Sequence, residues 1–278
     1  GAVILVDVVL IALGFPVPMA LCFGAIAAAT APAATLLVVR QYHAKGELTS
    51  TLLPVVAMDD AIGLMAYALS VSAAKMIQNG EAFNFMATVV NPILEILLSL
   101  GVGAVIGAAV ALSNRFFQSR ASRLTISIAA VLLGVGIAQQ FELSHLLLCM
   151  ALGATYVNLR DDAIQTLEQA DAWTPPLFML FFVLSGAELN VTVLPSLGVL
   201  GVVYIITRVA GKYFGAYIGC TISKSSPKIR KYLGLSLIPQ AGVAIGISQL
   251  VVKELPQYGA SIQAVILCAT LIYELVGP

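Results

Sequence analysis

TLLPVVAMDDAIGLMAYALSVS, residues 51–72, is apolar over a bilayer-crossing length and carries Asp59 and Asp60 side by side. About twenty apolar residues, rising about 1.5 Å each, make an α-helix long enough for a hydrocarbon core of about 30 Å. An ionisable group at that depth costs at least roughly 2.5 to 3.5 kcal/mol on insertion scales. Two adjacent carboxylates there read as an ion or proton site.

The rest of the chain has the same character. Of 278 residues, 60% are hydrophobic and only 10% charged, with a mean hydropathy of +0.99. Soluble domains carry roughly 25% charged residues, so this composition indicates a polytopic, all-α membrane bundle. Lys+Arg and Asp+Glu balance at 14 each, which gives no sign of a nucleic-acid or acidic partner. Cys22, Cys149, Cys220 and Cys268 lie in apolar segments without paired short spacing, which argues against a disulfide framework or zinc site. No HExxH, GxSxG or sensibly spaced Cys/His pair points to an enzyme. The opening run AVILVDVVLIALG is only about 20 Å long as a helix, and the last run, Ser261 to Pro278, lacks a polar flank. Truncation at both ends is therefore expected.

Hydropathy predicts ten membrane segments, at 1–14, 17–40, 50–73, 91–113, 122–139, 143–158, 174–194, 198–222, 229–251 and 261–278. If each crosses once, the connections on one side hold Arg40, Lys45, Arg115, Arg120, Arg123, Arg160, Lys224, Lys228, Arg230 and Lys231. The other side holds Lys75 and Lys253, and this bias makes the first side cytoplasmic. Arg208 and Lys212 remain within the membrane. The acidic stretch Asp161 to Asp171 reads as a cytoplasmic amphipathic connector. GVGAVIGAA, from Gly101, supplies small residues for close helix packing.

In this topology the first three and last three segments run antiparallel, the geometry of an inverted-topology repeat whose interrupted helices meet near the midplane. Segment two carries AAATAPAAT, with Thr30, Ala31 and Pro32 near its middle. Segment nine carries IPQAGVAIG, with Pro239, Gln240 and Gly242. Proline removes a backbone donor and clashes with the preceding turn, which leaves carbonyls free to face an ion or a partner helix. Asp59 and Asp60 lie nine and ten residues past the start of segment three, and Arg208 ten past the start of segment eight, each about 15 Å deep. Buried opposite charges need each other, and Arg208 with Asp59 is the economical pairing. Glu188 and Glu274 are further intramembrane acids, read as locally paired or reaching an interface.

The ordered motifs ATAP, AMDDAIGL, TRVAGKYFGAYIG and IPQAGVAIG resemble the cation:proton antiporter superfamily, specifically bacterial two-aspartate sodium/proton antiporters of the sodium/hydrogen exchanger kind. The resemblance covers essentially the whole chain. It implies a core domain in which two discontinuous helices cross, beside a dimerisation domain, in a homodimer of the bacterial inner membrane. It implies that Asp60 binds the transported cation, Na+ before K+, and that Asp59 pairs with a basic residue on the helix of Arg208 and Lys212. Thr30 and nearby carbonyls would help to coordinate the ion. Many relatives carry an acid just before the first proline, where this chain has Ala31. Electrogenic members use a lysine opposite the first aspartate, where Arg208 aligns; Lys212, one turn on, is the alternative.

On this basis residues 1–73 form the first inverted-repeat part of the core, 74–173 the linking and remaining helices, and 174–278 a segment containing the second repeat at 198–278. The expected function is exchange of a monovalent cation for protons by alternating access, without a cofactor, the two ligands competing for Asp60. Rival functions are a sodium-coupled symporter of an organic anion and a non-transporting channel or sensor module. For the symporter, only Gln240 and Gln249 suggest a polar substrate cavity.

Overall fold

The computed structural model describes residues 1–31, 35, 38–39, 41–80, 85–117, 119–187 and 194–276. Pro32 and Glu188 lie outside these. Every regular element among the described residues is a helix. Five are long and apolar enough to cross a membrane, namely Glu47–Asn79, Thr88–Phe116, Arg120–Gln140, Gly198–Ile222 and Pro256–Val276. The chain is a multi-pass helical membrane protein, and it divides into two compact units.

Unit 1 joins the two ends of the chain, Gly1–Asn84 and Glu188–Pro278. Its first part holds α1 (Ala2–Ala12), α2 (Val17–Ala28) and α3 (Glu47–Asn79). Nearly every residue of α2 is buried, so this helix is wrapped by its neighbours rather than facing lipid. Small side chains allow the close approach: a Cβ on Gly24 would fall 1.8 Å from the Asp7 carboxylate of α1. Glu47 in the first turn of α3 complements the helix dipole, and Gly80, at φ 66°, closes the helix in the left-handed conformation. Pro54 lies inside α3, which runs unbroken through it for 33 residues, longer than the expected 50–73.

The helix predicted at 17–40 stops at Ala28, and Ala29 turns extended, with φ −62° and ψ 140°. Ala31 directly precedes a proline, whose ring disfavours helical geometry in the residue before it. Beyond it, the Ala31 carbonyl accepts from the Thr35 N–H at 3.3 Å.

The later part of unit 1 repeats this order. One long helix, α9 (Leu194–Ile222), leads into α10 (Pro227–Ser236), then into α11 (Gly242–Glu254) and α12 (Pro256–Val276). The span predicted at 229–251 is thus broken between Ser236 and Gly242, around Pro239, which has no N–H to continue the ladder. The two breaks touch: the Ala31 N–H donates to Pro239 O at 2.9 Å.

Unit 2, Phe85–Ala187, holds a π-helical turn (Met86–Val90) followed by α4 (Asn91–Phe116), α5 (Arg120–Gln140), α6 (His145–Leu159), α7 (Ala163–Trp173) and α8 (Pro175–Ala187). α4 packs most closely on α6, where Gly103 and Gly107 face the backbone. Added Cβ atoms would sit 2.2 Å from Leu148 O and 2.5 Å from Leu152 O. The glycine run from Gly101 is therefore a packing seam. Ile106, Val110, Ala130, Leu148, Leu152 and Tyr156 fill the core beside it.

Polar bonds finish one end of unit 2. Tyr156 accepts from Asn114 at 2.8 Å and donates to Thr166 at 3.1 Å. Asp162 takes both Nε and Nη2 of Arg160, at 2.8 and 2.6 Å, and Nη1 of Arg123 at 2.8 Å. The hydrogen-bonded Arg160 guanidinium holds the Asp162 carboxyl below the usual carboxylate range. The connector predicted at Asp161 to Asp171 is the helix α7, with Ala163 and Thr166 buried and Ile164, Gln165 and Leu167 exposed.

Candidate ion-binding site

The crossing of the two breaks assembles most of the site residues expected from the sequence. Thr30, just past the end of α2 and 1% exposed, donates its hydroxyl to Asp59 Oδ2 of α3 at 2.6 Å. Lys212 of α9 donates to Thr30 Oγ1 at 2.8 Å. The same ammonium bonds Ala28 O and forms an ion pair with Asp59. One hydroxyl thus accepts from the lysine and donates to the carboxylate, closing a ring of three side chains on Asp59 Oδ2.

Asp60, the next residue, is placed differently. Asp59 and Lys212 are its charged neighbours. Its Oδ1 is buried and has no hydrogen-bond partner among the described residues. A buried acceptor left unmatched costs about 1 to 3 kcal/mol, more for a charged group, and Asp7 Oδ1 of α1 shares this property; what sets Asp60 apart is its place beside Asp59, Lys212 and the crossed breaks.

The expected pairing of Arg208 with Asp59 does not form. Arg208 donates from Nη1 to Ile238 O at 2.6 Å and from Nη2 to Ala29 O at 2.8 Å. Its guanidinium stands 4.5 Å over the ring of Tyr273 on α12. Arg208 and Lys212 lie four apart on one face of α9, one turn or about 5.4 Å in depth. Depth counted from a hydropathy boundary does not resolve one turn. The geometry does: the fork of Arg208 meets the carbonyls that end α2 and α10, and the single-headed ammonium of Lys212, one turn on, meets the aspartate. The helix end near Ala31, where many relatives place an acid, has its carbonyls at Ala28 and Ala29 matched by these two cations.

Gln240, in the second break, donates to Ile26 O of α2 at 2.9 Å and exchanges hydrogen bonds with the Tyr204 hydroxyl at 3.1 and 3.2 Å. It braces the crossing instead of facing the aspartates. Gly242 begins α11 and Pro239 supplies the carbonyl to Ala31. Tyr204 and Tyr273 were not singled out from the sequence. Tyr204 carried a signal, being four residues before Arg208 on the same stripe as Lys212; Tyr273 carried none. Glu274 keeps a buried Oε1 without a partner among the described residues, and no bond ties it to the crossing.

A family model described as "Sodium/hydrogen exchanger, transmembrane" matches residues 2–277. No curated protein matches the chain.

Proposed function

Since the chain belongs to the sodium/hydrogen exchanger family, we propose that it exchanges a monovalent cation, sodium foremost, for protons at Asp60. The observation that carries this proposal is the contrast between adjacent carboxylates: Asp59 is held by Lys212 and Thr30, while Asp60 keeps a buried oxygen with no donor among the described residues. A dehydrated carboxylate favours whatever neutralises it, and a proton and a small cation do so equally well in charge. The two ligands then exclude one another. An empty, charged Asp60 does not cross the apolar barrier, because moving an uncompensated ion through low dielectric costs several kcal/mol. Alternating access with only loaded states mobile yields obligatory exchange.

In this scheme Asp60 is the ion-binding group, Thr30 and the carbonyls of the break contribute oxygens, and Asp59 with Lys212 forms the fixed charge pair beside them. By resemblance, the working form is a homodimer in a bacterial inner membrane. The test is reconstitution: Asp60→Asn in proteoliposomes, under an imposed pH gradient with sodium, lithium and potassium supplied in turn. Loss of cation-dependent proton movement in a folded variant is the expected result; retained exchange would refute the assignment. The three cations also rank selectivity.

A further inference from the structure

Arg208 carries a permanent positive charge, is 0% exposed, and takes part in none of the ion pairs among the described residues. A buried cation without a carboxylate is costly unless its donors are matched. Here the two Nη atoms are matched by carbonyls from opposite ends of the sequence, Ala29 O and Ile238 O, while the buried Nε has no partner among the described residues. Both belong to helices cut short. Ala29 caps α2, and Ile238 follows the cap of α10 at Leu237. Such ends leave carbonyls without intrahelical donors and carry partial negative charge. The two Nη atoms of a planar guanidinium stand at a fixed separation, so bonding both oxygens fixes the distance between the breaks.

What is fixed matters to the aspartates. Ala29 is bonded to Thr30, whose hydroxyl joins Asp59 to Lys212. Ile238 is bonded to Pro239, whose carbonyl receives the Ala31 N–H. These neighbours link the Arg208 fork to the residues around Asp60.

We propose that Arg208 is a positioning residue that holds the two helix breaks in register, and thereby sets how tightly the site binds a cation, without itself pairing with an aspartate. This rests on the ion-exchange reading above. A cation must be met by several oxygens at once, whereas a proton needs a single carboxylate oxygen. Loosening the clamp therefore weakens cation binding and leaves proton affinity alone. A residue acting by its charge would do the opposite: removing a nearby positive charge strengthens cation binding and raises proton affinity together.

The experiment measures sodium-dependent proton exchange of the full chain in proteoliposomes over a range of sodium concentrations and pH. Arg208→Lys keeps the charge and loses the fork; Arg208→Gln loses both. The expected result for each is an apparent KM for sodium raised about tenfold, one charge-assisted hydrogen bond's worth, with maximal rate per folded molecule changed by less than about twofold. The pH at which the apparent KM begins to climb, which reports proton affinity, stays where it is in the unsubstituted protein. A lower KM in Arg208→Gln beside an unchanged Arg208→Lys would overturn the proposal in favour of a charge effect. Reduced yield with unchanged KM and pH profile in both would overturn it in favour of a purely structural role. Should neither variant fold, Tyr273→Leu removes the ring beneath the guanidinium and leaves the fork. A KM raised about threefold then supports the clamp, and an unchanged KM overturns it. Asp60→Asn separates the two levels of failure. Exchange that survives it sinks the ion-exchange reading and this inference with it; exchange that it abolishes, with wild-type KM in the Arg208 variants, sinks the inference alone.

Discussion

Two clusters of opposite charge, one in each unit, share out their bonds differently. In unit 2, Asp162 receives three guanidinium nitrogens from Arg160 and Arg123, and both its oxygens are engaged. In unit 1, two aspartates and two cations meet at the crossed breaks, yet the bonds are shared unevenly. Asp59 takes Lys212 and Thr30, Arg208 turns to two carbonyls, and Asp60 retains an oxygen that no described protein group satisfies. Four charged side chains would suffice for two closed pairs. On the proposed reading, that they do not close leaves one carboxylate for a ligand. Charge inside a membrane is thus informative less by its presence than by which atom is left over.

The sharpest way to break this contrast is to remove the leftover group. Asp60→Asn is expected to reduce cation-driven proton exchange to the level of empty liposomes while the protein elutes as a folded species. The corresponding change in unit 2, Asp162→Asn, should leave exchange at the wild-type rate. If the second variant loses exchange as the first does, the two clusters do not differ in the way described.

Next in size is the committed pair. Asp59→Asn or Lys212→Met alone strands a buried charge and should cost roughly 3 to 5 kcal/mol, with the double variant recovering part of the loss. Thermal unfolding of the singles and the double in one detergent reads the coupling. Independent, additive losses would mean that the ion pair does not act as a unit. A smaller effect is expected of Thr30→Val, which keeps the shape and removes the hydroxyl shared by Lys212 and Asp59. Its apparent KM for sodium should rise by about three- to tenfold, in line with one lost hydrogen bond to a charged group.

The smallest effect is a pH dependence that belongs to unit 2. The Arg160 hydrogen bond holds the Asp162 carboxyl below its ordinary value, so the folded form binds its proton less readily than the unfolded chain. The stabilisation is therefore present above the unfolded pKa of about 4 and disappears as pH falls through the lower folded value. Lowering the pH through this range should narrow the difference in Tm between wild type and Asp162→Asn. A difference that widens with acidity would reverse the sign of the argument.

Much of the architecture was legible because its causes are local. A proline removes a backbone donor at a fixed place in the sequence, although Pro54 shows that a helix can run through one, and both breaks lie near the middle of the runs expected to contain them. Asp59 and Asp60 announce themselves by their cost in a membrane. The pairing was not legible. Arg208 and Lys212 share a face of α9, and only the arrival of α2 and α10, from residues some 180 and 30 positions away, determines which cation meets carbonyls and which meets carboxylate. Gln240 lies between α10 and α11, and its bonds to Ile26 O and Tyr204 depend on the same crossing. Helix lengths differed where apolar and polar residues grade into one another: α3 extends to Asn79 past the expected end at 73, because Ser72 to Asn79 is helix-compatible though less apolar.

The most direct measurement is proton release on cation binding by purified protein in weakly buffered detergent, followed with a pH indicator. Adding sodium or lithium should release protons from the wild-type protein near the pH at which Asp60 is half-occupied, and none from Asp60→Asn. Equal release from both proteins would contradict the assignment of Asp60 as the group for which ion and proton compete.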